Sequence, residues 1–166
     1  MADSGSDLAQ AVAKMFPGHG VEMKNSIGEK RRNLTITHEK GDEVVRVRLE
    51  AKAAEKGERT ADAIFVCRAK DAQHFVVVIV ELKGSDFPHA LSQLEQTSER
   101  YCGRGRKKEH GKGVGSNHLK RVIGLVSCPR GQKDQAKIKE MRKRGIDALH
   151  WKDYRIDLSV LLKKAK

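Results

Sequence analysis

Residues Phe75–Gly84 read FVVVIVELKG, a run of six apolar residues that ends abruptly in two charged positions. An apolar run without alternation is typical of a strand that is covered on both faces, at the centre of a sheet. The preceding run, Ala61–Cys67, is also rich in β-branched and aromatic residues, and the short polar segment between the two runs predicts a hairpin. We therefore expect a buried central strand that ends at Glu81 and Lys83.

The register of this hairpin predicts which side chains meet at the edge of the sheet. Strand side chains alternate between two faces, so Glu81 and Lys83 point the same way. If the hairpin closes with the four-residue loop Lys70–Gln73, paired residue numbers add up to 143 and Asp62 lies opposite Glu81. Cross-strand partners have Cβ atoms about 4.5–5.5 Å apart. Two carboxylates and an ammonium group are then expected on one patch, and a slip of one residue would separate them.

The rest of the chain predicts helices and further strands around this hairpin. Helices are predicted where apolar residues recur every three or four positions between capping residues, at Asp7–Phe16, Pro88–Tyr101 and Asp134–Arg144. Strands are predicted at Leu34–Ile36 and Val45–Leu49, which are joined across Gly41-Asp42, and at Val122–Val126 and Ala148–Trp151, before a C-terminal segment Ile156–Leu162. This order predicts one α+β (mixed α/β) domain over residues 1–166, with a central mixed β-sheet flanked by helices.

The positive charge of the chain is concentrated in its last two-fifths. Residues 1–100 carry 15 Lys/Arg and 16 Asp/Glu, a net charge of −1, whereas residues 101–166 carry 19 and 6, a net charge of +13. Such asymmetry is expected of a protein that meets a polyanion on one side, although a merely solubilising surface is the alternative interpretation. The low aromatic content argues against a binder of single strands that depends on base stacking.

One glycine-rich basic segment, GRGRKKEHGKGVGSN, spans Gly103–Asn117 and predicts a mobile basic loop. It lacks the order of residues found in phosphate-cradling loops, so its cations are better interpreted as surface contacts to phosphates. The predicted nucleic-acid-binding residues are Arg104, Arg106, Lys107, Lys108 and Lys112.

The cysteines and the hydropathy indicate a reducing, cytoplasmic setting. The chain has three cysteines and no CxxC pair, so we do not expect a disulfide framework. The spacing of Cys102, His110, His118 and Cys128 matches no compact zinc site. The acidic, polar N-terminus does not resemble a secretory signal, and no run of 18 apolar residues predicts a membrane span.

Two close carboxylates repel each other, and a cation between them offsets that repulsion. Carboxylate oxygens suit Mg²⁺ or Mn²⁺, which bind one or two carboxylates and complete their shells with water and substrate phosphate. A metal ion held by Asp62 and Glu81 would lower the pKa of a bound water and stabilise charge on a phosphate. Lys83 could orient that water or neutralise the developing negative charge.

Ala61-Asp62, followed nineteen residues after the aspartate by Glu81-Leu82-Lys83, resembles the motif of the PD-(D/E)XK nuclease superfamily. The resemblance implies a restriction-endonuclease-like core in which Asp62 and Glu81 bind the metal, the Leu82 carbonyl joins them and Lys83 serves the attacking water. It also implies a catalytic role for Gln93, in the helix after the motif. A further acidic ligand from the first helix is often present in the family, and only Asp7 or the nearby Glu22 could supply it here.

These observations predict an Mg²⁺- or Mn²⁺-dependent endodeoxyribonuclease that hydrolyses phosphodiester bonds with a metal-activated water. Nucleic acid, most simply DNA, is the expected partner, and a homodimer is compatible with the sequence. Two other functions stay open at this point: a catalytically silent nucleic-acid-binding module of the same fold, and a basic protein-interaction subunit. The intact set of Asp62, Glu81 and Lys83 favours catalysis, because a site without chemistry has no need of all three groups.

Overall fold

The structure, a computed structural model, describes residues 6–29, 32–49, 60–83, 86–102, 119–128 and 134–164. The helices within these ranges are α1 (Asp7–Met15), α2 (Phe87–Cys102), α3 (Gln135–Lys143) and α4 (Leu158–Lys164). The strands are β1 (Gly20–Glu22), β2 (Ser26–Glu29), β3 (Arg32–Thr37), β4 (Glu43–Arg48), β5 (Ala63–Arg68), β6 (Phe75–Leu82), β7 (Leu119–Ser127), β8 (Ile146–Trp151) and β9 (Arg155–Asp157). Across these ranges, no helix is both long enough and apolar enough to cross a membrane.

The central sheet has six strands in the order β1-β4-β5-β6-β7-β8. Its first half is antiparallel from β1 to β6, and its second half, from β6 to β8, is parallel. The parallel pairs are possible because α2 connects β6 to β7 and α3 connects β7 to β8, as parallel strands require a crossover. The predicted α+β fold, a central mixed β-sheet flanked by helices, is confirmed.

The hairpin formed by β5 and β6 has the predicted register. Ala63 pairs with Val80 and Cys67 pairs with Val76, so the paired residue numbers add up to 143. All eight residues of β6 are buried, in agreement with the prediction of a strand covered on both faces. This register is what brings the position of Asp62 opposite the carboxyl end of β6.

One face of the six-stranded sheet is covered by α1, α2 and α3. The apolar residues that each helix buries against this face are Leu8 and Val12 from α1, Leu91 and Leu94 from α2, and Ile138 and Met141 from α3. Each helix begins at a side chain that accepts a backbone N–H, namely Ser6, Asp86 and Asp134. Gly145 follows α3 with a φ of +84°, which explains the helix end expected there.

The opposite face is covered by a second sheet that the sequence analysis did not predict. This sheet has the order β2-β3-β9, and α4 packs beside it through Leu158 and Leu161. The two strands that are joined across Gly41-Asp42 therefore belong to different sheets: β3 lies in the second sheet and β4 in the first. The C-terminal segment likewise divides into β9 and α4.

The parallel strands place their carboxyl ends along one edge of the central sheet. Glu81 of β6 aligns with Val126 of β7, and Val126 aligns with His150 of β8. Because aligned partners in a sheet share a face, these residues lie on the side covered by the helices. The predicted site therefore lies where β6 ends and the chain turns into α2.

Candidate active site

Asp62 lies one residue before β5 and is held against the end of β6 by two hydrogen bonds. Its backbone N–H donates to the Val80 carbonyl oxygen at 3.0 Å, and its Oδ2 atom accepts from the Leu82 N–H at 2.7 Å. The paired residues of the hairpin end at Ala63 and Val80, and Asp62 lies one residue beyond this pair, beside Leu82. Asp62 is half-buried, so its carboxylate stands at the sheet edge with a fixed orientation and partial access to solvent.

Glu81 is the most buried charged residue among those described, with only 1% of its surface exposed. Its Oε1 atom lies 2.9 Å from the Lys83 ammonium nitrogen. Its Oε2 atom is buried and has no hydrogen-bond partner. Most buried polar atoms have a hydrogen-bond partner, and an oxygen without one in the protein is available to a water, an ion or another ligand.

The surroundings of Glu81 raise its pKa to about 7 from an ordinary value of 4.5. Burial is the largest cause because it disfavours the charged form, and the nearby negative charge of Asp62 acts in the same direction. The hydrogen bond and the positive charge of Lys83, together with a hydrogen bond to the Asp62 backbone, lower this pKa but do not offset the other two effects. A cation bound between the two carboxylates would relieve this repulsion.

Lys83 follows β6 directly and remains tied to the sheet, since its backbone N–H donates to the Ser127 carbonyl oxygen at 2.9 Å. About a quarter of its side chain is exposed (27%). The ammonium group therefore contacts the buried Glu81 and also reaches solvent. Asp62, Glu81 and Lys83 are thus brought together on the face covered by α2.

Gln93 lies on α2 beside the segment that leads into Asp62. Its amide nitrogen donates to the Thr60 carbonyl oxygen at 3.2 Å, whereas its Oε1 atom is buried without a hydrogen-bond partner. One turn later, the Thr97 hydroxyl accepts from the Ala61 N–H at 2.7 Å. No role was predicted for Thr97, although its i, i+4 spacing from Gln93 on a helix places the two on one face.

Glu22 and Asp7 are the two acidic residues that were considered as further metal ligands. Glu22 forms an ion pair with Arg46 at 2.5 Å, and this arginine also donates to the Ser26 carbonyl oxygen in the second sheet. Glu22 therefore lies on the face opposite to Glu81, and Arg46 lowers the pKa of its carboxyl group. Asp7 is exposed in the first turn of α1. Glu22 does not complete the site.

The donor groups fit a hard divalent cation. In the described part of the chain, no three His, Cys, Asp or Glu side chains are grouped to hold a metal ion. Mg²⁺ needs only one or two carboxylates, because it retains several waters and takes substrate oxygens as further ligands. Asp62, Glu81 with its unsatisfied Oε2 atom, and the Leu82 carbonyl are the groups that could hold it.

The predicted basic loop, with Arg104, Arg106, Lys107, Lys108 and Lys112, lies outside the described residues. Cys67 is buried on the face opposite to Asp62, and burial raises its pKa to about 12. Cys67 is therefore protonated at neutral pH and unsuited to act as a nucleophile. Comparison of the chain with models of protein families, with curated proteins and with solved structures finds no match.

Proposed function

We propose that this protein is a metal-dependent nuclease that hydrolyses phosphodiester bonds in DNA, as the resemblance to the PD-(D/E)XK superfamily implies. The observation that carries the proposal is that the Asp62 carboxylate lies close enough to Glu81 to act on its charge, just beyond the last pair of the β5–β6 ladder, where one buried Glu81 oxygen has no hydrogen-bond partner. A carboxylate oxygen without a protein partner is available as a ligand to Mg²⁺, which binds one or two carboxylates.

In this proposal, Asp62, Glu81 and the Leu82 carbonyl hold Mg²⁺ or Mn²⁺. The ion, when bound, supplies a water of lowered pKa and stabilises charge on the phosphate. The Leu82 N–H fixes the Asp62 carboxylate, so that this ligand is oriented before the ion arrives. Lys83 lies beside Glu81 and extends toward solvent, where its ammonium group can orient the attacking water or neutralise charge on the phosphate.

The binding of nucleic acid is assigned to the basic last part of the chain. Residues 101–166 carry a net charge of +13, and phosphate contacts of this kind supply most of the sequence-independent affinity for DNA. The three cysteines are buried, and we propose the reducing cytoplasm as the compartment.

Cleavage of supercoiled plasmid, linear duplex, single-stranded DNA and RNA with Mg²⁺ or Mn²⁺ tests the proposal. The variants Asp62→Asn and Glu81→Gln keep the shape of each side chain but remove its charge, and we expect each to abolish cleavage. Glu43→Gln is the matched control, because Glu43 pairs with Arg68 at the other end of the hairpin. Wild-type protein that binds nucleic acid but cuts none of these substrates would instead support a silent binding module.

A further inference from the structure

Two side chains of α2 contact the same peptide group, the one between Thr60 and Ala61. Gln93 donates its amide N–H to the carbonyl oxygen of this group at 3.2 Å, and Thr97 accepts its N–H at 2.7 Å. Because Gln93 and Thr97 are four residues apart on a helix, one turn of α2 holds both ends of one peptide plane. Asp62 is the next residue along the chain.

The orientation of the Thr97 hydroxyl is determined by a third hydrogen bond. Its single proton is donated to the Gln93 carbonyl oxygen at 2.8 Å, so a lone pair faces the Ala61 N–H. Thr97 is completely buried (0% exposed), and water is therefore poorly placed to replace it as the acceptor. The hydroxyl thus has one favourable arrangement.

The contacts of α2 lie where the ladder between β5 and β6 ends. That ladder runs as far as the pair Ala63 and Val80, after which the Asp62 N–H still donates to the Val80 carbonyl oxygen. The Ala61 N–H, one residue earlier, is bonded to α2 instead of to β6. The position of Asp62 is therefore set by β6 on one side and by α2 on the other.

We propose that Gln93 and Thr97 form a clamp on the Thr60–Ala61 peptide that positions the Asp62 carboxylate for metal binding. Thr97 is then a positioning residue, and the main contribution of the Gln93 amide nitrogen is to the backbone. The clamp itself follows from the contacts, whereas its effect on catalysis rests on the proposed nuclease function. Groups that orient a metal ligand typically affect metal affinity by about tenfold to a hundredfold when they are removed.

The variant Thr97→Val keeps the shape of the side chain but removes the acceptor and the donor. Titration of the protein with Mn²⁺ alone, without nucleic acid, should show an affinity about tenfold or more below that of wild type. In cleavage assays, kcat should fall with little change in KM, because the clamp acts on a metal ligand and not on the substrate. Thr97→Ser restores the hydroxyl and should restore both values.

Ser98→Ala is the matched control for these measurements. Ser98 is the next residue of α2 and is also completely buried, but its hydroxyl has no hydrogen-bond partner. Its removal should leave the affinity for Mn²⁺ and kcat near their wild-type values. A loss in Ser98→Ala equal to that in Thr97→Val, or a Thr97→Val variant that binds Mn²⁺ as wild type does, would overturn the proposal.

A double-mutant cycle tests whether Gln93 and Thr97 act through one peptide. Gln93→Met removes the donor with little change in length, and the double variant should lose little more Mn²⁺ affinity than the more affected single variant. Fully additive losses would contradict a shared target.

Hydrogen exchange at the Ala61 amide separates failure of the clamp from failure of the proposed function. The amide should exchange faster in Thr97→Val than in Thr97→Ser or Ser98→Ala, whether or not the protein is a nuclease. Unchanged exchange would overturn the clamp. If wild-type protein bound no Mn²⁺ while this difference in exchange was observed, the proposed function would fail and the clamp would stand as a structural contact.

Discussion

Glu81 combines an ionisable group with nearly complete burial, and its neighbours determine when it carries charge. Burial and the charge of Asp62 raise its pKa to about 7, and Lys83 acts in the opposite direction. An unfolded chain has no such surroundings, so the same group would there ionise near its ordinary value of 4.5. Between these two pH values the folded state binds more protons than the unfolded state.

This difference predicts how Glu81→Gln changes stability with pH. A raised carboxyl pKa means that the wild-type protein loses stability as the pH rises from about 4.5 to about 7, because the unfolded chain ionises over this range while the folded state holds Glu81 protonated. A neutral amide at this position carries no such penalty. The free energy of unfolding of the variant should therefore rise relative to that of wild type across this range, by up to about 3 kcal/mol.

Urea unfolding of both proteins at pH 4, 6 and 8 measures this gain. Glu43→Gln serves as the comparison for a carboxylate that is paired with Arg68 near the surface. A Glu81→Gln variant whose difference from wild type is the same at all three pH values would contradict the assigned cause.

Lys83 is expected to act on catalysis more than on binding. In Lys83→Met the stem of the side chain remains, but the ammonium group next to Glu81 is lost. We expect kcat to fall about a hundredfold or more with KM nearly unchanged, since charge stabilisation is needed mainly in the transition state. Because Lys83 lowers the pKa of Glu81, the rising limb of the pH–rate profile should also move to higher pH. A large increase in KM at constant kcat would make Lys83 a phosphate-binding residue.

At the level of elements, α2 is the helix that supports the site, and its distance from the sheet depends on Gly124 of β7. A Cβ atom at Gly124 would lie 2.9 Å from Leu94 Cδ1 of α2 and 3.4 Å from Ile146 Cγ2 of β8. Leu94 and Ile146 are both completely buried, so neither side chain has free space to move into. The glycine thus allows α2 to approach the sheet closely.

Gly124→Ala should therefore destabilise the fold by about 1–2 kcal/mol through overpacking. Gly28→Ala is the matched control, because a Cβ atom there would make ordinary contacts of 3.5 Å and 3.6 Å with Arg32 and Asn33. Thermal and chemical unfolding of both variants give the comparison. Equal stability of the two variants would show that α2 accommodates the extra methyl group by a small shift.

At the scale of the whole molecule, the proposed chemistry and most of the positive charge lie in different parts of the chain. Asp62, Glu81 and Lys83 belong to residues 1–100, which have a net charge of −1, and residues 101–166 have a net charge of +13. Some of these cations have partners in the fold: Arg121, for example, lies 3.3 Å from Asp147. The basic segment 103–117 contributes five of these cations.

Binding and cutting should therefore be separable. Joint replacement of Arg104, Arg106, Lys107 and Lys108 by serine should weaken affinity for duplex DNA and flatten its dependence on salt. Each lost phosphate contact should reduce the log–log slope by about 0.9, or by about 0.7 for single strands. At saturating substrate the cleavage rate should stay near that of wild type. An unchanged slope would mean that this loop does not contact the phosphates. The exposed cations of α3, which are Lys139, Arg142 and Lys143, would then be the next residues to replace.

The local part of the fold and the acidic pair could be predicted from the sequence by itself. The register of a hairpin is set by residues close together in the sequence, and so the pairing in which residue numbers add up to 143 followed from alternation and loop length. The burial of β6 and the ends of the helices were likewise visible in apolar runs, capping residues and glycines.

The tertiary structure alone decided the features that join distant segments. The second sheet depends on the pairing of β3 with β9, in which Thr35 aligns with Arg155, and the short β1 pairs with the far end of β4. Neither pairing has a local signal, because strands of three residues show no periodicity and their partners are distant in sequence. The same holds for Thr97, whose contact with Ala61 exists only because α2 packs across the start of β5. No local pattern encodes this packing of α2 against residues distant in sequence, and the packing sets the position of the backbone just before Asp62.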